Sequence, residues 1–136
     1  MKIKDKNNVF ELSLKGYESP SIRYEQYDSN WLQINIKVQG LQAPWEVTDN
    51  MLLTWEVAFL ADWISKLNNN EKSETILEFI EPNLRFENLG KQGDNIGVRI
   101  WFELEARPSW IETDGAYMDD LYLAFGIQLR NGIPHQ

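Results

Sequence analysis

Leu32-Gln33-Ile34-Asn35-Ile36-Lys37-Val38-Gln39-Gly40 is the stretch on which the reading of the fold turns. Its aliphatic residues alternate with polar ones, the period of a strand with one face buried and the other wet. Gly40 stops it. Working outward, Phe10, Leu12 and Leu14 alternate with Glu11, Ser13 and Lys15, Gly16 is expected to end that strand, and Pro20 marks a loop. Ile96, Val98, Ile100, Phe102 and Leu104 alternate with Gly97, Arg99, Trp101, Glu103 and Glu105 until Arg107-Pro108. Ile76 to Ile80 and Leu84 to Glu87 read as a hairpin-like unit around Glu81-Pro82-Asn83, followed by a Gly90–Gly93 loop. Leu121, Leu123, Phe125, Ile127 and Leu129 keep period two around an interior Gly126, which favours a strand over a short helix capped by Asp119-Asp120.

One segment breaks the strand rhythm. Leu53, Val57, Leu60, Ile64 and Leu67 recur at spacings of four and three, which predicts a helix from about Asn50 to Leu67 with Thr48 or Asp49 as its cap. Asn68 to Ser73 is a polar loop. The expected class is therefore α+β, an antiparallel β-sheet of about six or seven strands with one main α-helix packed on a face. Residues 1–136 are expected to form a single domain, with no repeat or linker.

Composition limits the chemistry. The chain has no cysteine and one histidine, His135, next to the last residue, where no surrounding shell is expected to orient it. Thiolate nucleophiles, disulfides and cysteine-ligated metal centres are excluded. The formal charge is −8; residues 71–136 carry twelve acids against six bases, whereas residues 1–70 carry nine against seven. Such a surface repels phosphate backbones, so nucleic acid is not expected as a ligand, and a basic protein partner is favoured. Met51 to Leu60, interrupted by Thr54 and Glu56, is too short and polar to span a bilayer, and the polar N-terminus lacks the apolar run of a signal peptide. The expectation is a cytoplasmic protein with no cofactor and no membrane attachment.

A few residues depart from the pattern. Glu56 projects into the apolar helix stripe between Leu53, Leu60 and Trp63, where a carboxylate needs a cation or several donors. It reads as a structural buried acid, with Arg85, Arg99 or Arg107 as mates. Strand parity places Trp101 on the face shared by Arg99, Glu103 and Glu105, a large aromatic among carboxylates such as binding hot spots use. Trp55 points away from the helix stripe and reads as a rim residue. Glu103 and Glu105 could alternatively serve as the carboxylate pair of a small hydrolase or sugar-binding protein, which requires a cleft holding both. Asp114, Asp119 and Asp120 fit a solvated turn better than a calcium loop.

Several segments together resemble the WapI family of bacterial immunity proteins. They are Trp45-Glu46, Asp49, Leu52-Leu53-Thr54-Trp55-Glu56 and Phe79-Ile80-Glu81-Pro82-Asn83-Leu84-Arg85-Phe86, joined in order by Gly16-Tyr17-Glu18, Tyr27-Asp28-Ser29-Asn30-Trp31-Leu32 and Arg107-Pro108-Ser109-Trp110. The likeness runs from about Phe10 to Trp110 and more weakly to Ile127. It implies a non-enzymatic protein that binds and neutralises a cognate polymorphic toxin, such as a tRNA-cleaving nuclease, in contact-dependent competition. On that reading Trp101, Glu103 and Glu105 are partner-binding candidates, with Asp119 and Asp120 as rim charges. Two departures from the resemblance stand out: Ser19 replaces an aromatic, and Arg130 to Gln136 is not expected to form the C-terminal helix that relatives carry. Loss of that helix is expected to bare apolar sheet surface around Leu121, Phe125 or Leu129, which a homodimer would cover. A self-associating adaptor is the remaining alternative.

Overall fold

The computed structural model describes residues 1–17, 31–41, 43–110 and 121–128. In chain order its elements are β1 (Lys2–Asp5), β2 (Asn8–Tyr17), β3 (Trp31–Gln39), β4 (Trp45–Leu53), α1 (Thr54–Asn68), β5 (Ile76–Leu77), β6 (Leu84–Gln92), β7 (Asn95–Phe102) and β8 (Tyr122–Gln128), with a 3₁₀ turn at Leu104–Ala106. The class is α+β with one main helix among the described residues, as the patterning predicts. The strands divide between two antiparallel sheets of four, ordered β1-β2-β3-β4 and β5-β6-β7-β8, and α1 is the link from one to the other.

Alternation explains why the two sheets share a core. Leu32, Ile34, Ile36 and Val38 of β3 are all buried, as are Ile96, Val98, Ile100 and Phe102 of β7 and Leu123 and Phe125 of β8. Aromatic rings join the layers: Phe10 of β2 lies 5.9 Å from both Phe86 of β6 and Phe102 of β7. Trp63 of α1 meets Phe86 edge-on at 5.9 Å, and Trp45 of β4 meets Phe102 at 5.2 Å. Burying each such side chain contributes about 1.5–3 kcal/mol. Trp45 also donates its indole N–H to the Ala106 carbonyl at 2.9 Å, so the 3₁₀ turn is tied to the first sheet.

The start of the helix differs from the expectation. Asn50 to Leu53 belong to β4, and α1 begins at Thr54, so neither Thr48 nor Asp49 caps it. Thr48-Asp49-Asn50 mimics a cap, but β4 is an edge strand, where polar residues are tolerated. Thr48 and Glu46 both accept hydrogen bonds from the Asn35 side-chain amide of β3, at 2.9 and 2.8 Å, which anchors them to the sheet. Leu53 precedes the helix without a side-chain acceptor. Gly16 likewise does not end its strand; it takes the irregular step in the β2–β3 register with φ 146°. Finally, β7 stops at Phe102, so Glu103 and Glu105 leave the strand face on which parity had put them.

The expected bare surface is absent where it can be checked. Leu121 and Phe125 are 1% and 2% exposed, because the first sheet covers this face, while Leu129 lies outside the described residues. The outer edge of β8 is engaged as well: Gly126 N–H donates to Asp5 Oδ2 at 2.9 Å, and the Asn8 amide donates to the Ala124 carbonyl at 3.1 Å. Leu121 and Phe125 therefore offer no bare surface for a homodimer to cover.

Candidate functional site

Register places Arg85, Trp101 and Tyr122 side by side on the outer face of the second sheet, with Glu87 and Arg99 in the next row. The Arg85 guanidinium lies 4.3 Å from the Trp101 ring centre, and that of Arg99 lies 5.4 Å from Trp101 and 4.6 Å from Tyr122. Trp101 is thus bracketed by cations rather than carboxylates. Each stacked pair at a partly covered site is worth about 0.5–1 kcal/mol. Arg99 also pairs with Glu87 at 3.3 Å. The Trp101 indole nitrogen and Arg99 Nε are buried with no hydrogen-bond partner among the described residues, so this stack is closed to water from at least one side.

The two glutamates are fastened separately. Glu103 pairs with Arg107 at 3.1 Å, while Glu105, in the 3₁₀ turn, accepts from the Asn83 side-chain amide at 3.2 Å. Leu104 between them turns the backbone through φ 51°. A small concavity of about 60 Å³ beside Glu103 is lined by Glu78 and Arg85 but not by Glu105. Among the described residues, Glu103 and Glu105 therefore lie beyond the β7 face that carries Trp101, and the concavity beside Glu103 does not include Glu105. Asp114, Asp119 and Asp120 lie outside the described residues. No group of three or more His, Asp or Glu side chains is arranged to hold a metal ion among the described residues.

Glu56 is buried, 1% exposed, as its position in the stripe predicts. Its partners are not arginines. One carboxylate oxygen accepts the Leu53 N–H at 2.9 Å and the other accepts the Ile80 N–H at 2.8 Å. The first contact satisfies a donor at the helix entry, the second clamps the incoming segment against α1. Farther along, the Trp63 indole donates to the Glu74 carbonyl at 2.8 Å. Residues 74–80 therefore run alongside the helix in the opposite direction, held at both ends.

Two larger concavities flank this scaffold. One of about 590 Å³ opens on the outer face of the first sheet, where register sets Lys2, Glu11, Lys37 and Glu46 in a row of alternating charge across four strands. Opposite charges directly across from one another stabilise a sheet, which accounts for that row. The other, of about 450 Å³, lies between α1 and the returning segment, with Phe59, Trp63 and Leu77 and the charged Asp62, Lys66, Lys72 and Glu74 in its walls. Trp55 and Phe59 are 40% and 58% exposed and stacked edge-to-face at 5.4 Å. Apolar patterning marks Trp55 only as a rim residue and does not mark Phe59; the sequence signal for the pair is the spacing Trp55, Phe59, Asp62, Lys66 on one helical stripe.

Comparison with known proteins gives a single kind of match. The model for the "Immunity protein WapI-like family" matches residues 1–129, and the chain belongs to that family. No curated protein and no solved structure matches it.

Proposed function

Starting from membership of the WapI-like immunity family, we propose that this protein binds a cognate toxin domain and holds it inactive, performing no bond chemistry of its own. The observation that carries the reading is the family match across residues 1–129. The toxin is proposed to be basic, a nuclease such as a tRNase, met in the cytoplasm of the cell that produces it during contact-dependent competition. Charge supports this: a nuclease surface built to hold phosphate is cationic, and a partner of formal charge −8 is steered onto it. Of the residues singled out in the sequence, Glu103 and Glu105, with Asp119 and Asp120 at the rim, remain contacts to test, whereas Trp101, flanked by Arg85 and Arg99, is not proposed as one. Among the described residues no helix is long and apolar enough to cross a membrane.

The test is protection in cells. The C-terminal toxin domain encoded beside this gene is expressed from an inducible promoter with and without this protein. Restored growth is the expected result; growth arrest at equal toxin levels, despite abundant folded protein, contradicts the reading.

A further inference from the structure

Resting on the immunity reading above, we propose that the toxin docks on the ridge formed by the outer stripe of α1 and the segment that returns beside it, and not on the Trp101 face. Three observations converge there. Trp55 and Phe59 form an exposed aromatic pair, and Ile80, held beside the helix entry by Glu56, is 62% exposed. Single exposed apolar residues are ordinary, but an exposed aromatic pair on a fixed helix is the kind of anchor that contact surfaces use.

The second observation is charge. Residues 71–81 carry four glutamates against one lysine, an excess of three acids, while Asp62 on the helix is offset by Lys66 at 3.1 Å. An aromatic centre with an acidic rim suits a cationic protein surface, the aromatics supplying affinity and the acids encounter rate. By contrast, the outer face of the second sheet sets Arg85 and Arg99 around Trp101 with Glu87 offsetting one of them, so it lacks the acid excess that would draw that partner.

The third is shape. The groove of about 450 Å³ between helix and segment opens next to Phe59, with Asp62, Glu74, Lys66 and Lys72 in its walls and Asp62 paired with Lys66 at 3.1 Å. A partner side chain entering it would lie against Phe59, Trp63 and Leu77, so the groove supplies apolar contact while the glutamates of residues 71–81 supply the charge. The hydrogen bonds from Trp63 and to Glu56 fix the groove before binding, so little ordering remains to oppose association.

Titration calorimetry with the adjacent-encoded toxin domain, inactivated at its own catalytic centre, tests this. Phe59→Ala and Trp55→Ala are each expected to weaken binding by about 30-fold, and Glu78→Lys by about tenfold through slower association. Lys91→Ala, in the distant β6–β7 hairpin, and Trp101→Ala are expected to bind like wild type. All these positions except Trp101 are exposed, so thermal melts close to wild type certify folding. Wild-type binding that survives Phe59→Ala and Glu78→Lys, or that is lost in Trp101→Ala with an unchanged melt, overturns the docking ridge and leaves the immunity reading standing. Absence of binding by the wild-type protein overturns both.

Discussion

At the scale of single residues, Glu56 shows how a local anomaly becomes a structural device. A carboxylate inside an apolar stripe must find donors, and it finds two backbone N–H groups rather than a cation. Glu56→Ala strands both N–H groups and is expected to cost about 2–4 kcal/mol, read as a lower denaturation midpoint in urea. Glu56→Gln keeps one acceptor and is expected to lose about half as much. A midpoint unchanged in both variants contradicts the clamp. The burial of Glu56 was legible from helix periodicity; its partners were not, because backbone donors from Ile80 leave no trace in residue identity. Trp101 illustrates the opposite failure. Parity identified its face, yet cross-strand neighbours decide the local charge, and Arg85 and Tyr122 arrive from strands whose register no pattern records. Arg85→Met is expected to cost about 1 kcal/mol by removing the closest stacked cation, with toxin binding unaffected.

At the scale of elements, strands with strict alternation were readable, and those shaped by their position were not. The core-facing residues of β3, β7 and β8 follow from period two alone. β1 carries one buried apolar residue, Ile3, too little for any period, and β4 hides polar residues that an edge strand accepts. The division into two sheets was also illegible, since an antiparallel meander reads the same whether it continues past a helix or restarts. The edges show how the sheets are finished. Asp5 satisfies the Gly126 N–H on the outer edge of β8, so Asp5→Ala is expected to speed hydrogen exchange at that amide and to cost about 1 kcal/mol. Gly40 ends β3 at φ 145°, and a Cβ there would run into the Asn8 side chain. Gly40→Ala is expected to destabilise by at least about 1 kcal/mol, checked by thermal melting; an unchanged Tm contradicts the strain argument.

At the scale of the whole molecule, two sheets and a helix share one aromatic-rich core, and among the described residues Glu56 is the one acid buried in it. The family likeness lay in ordered short segments, and it reaches the match across residues 1–129; the docking surface lay in neither, because it is assembled from a helix stripe and a segment running back beside it. Charge predicts kinetics at this scale. Association with the toxin is expected to slow by about tenfold between low salt and half-molar salt while dissociation changes little, as stopped-flow mixing would record. The most direct measurement of the central claim is a titration of toxin activity in a purified system. Adding this protein to the adjacent-encoded toxin domain is expected to abolish its cleavage activity at one-to-one stoichiometry, with a Kd of about nanomolar or tighter. Full toxin activity in the presence of excess folded protein would contradict the account.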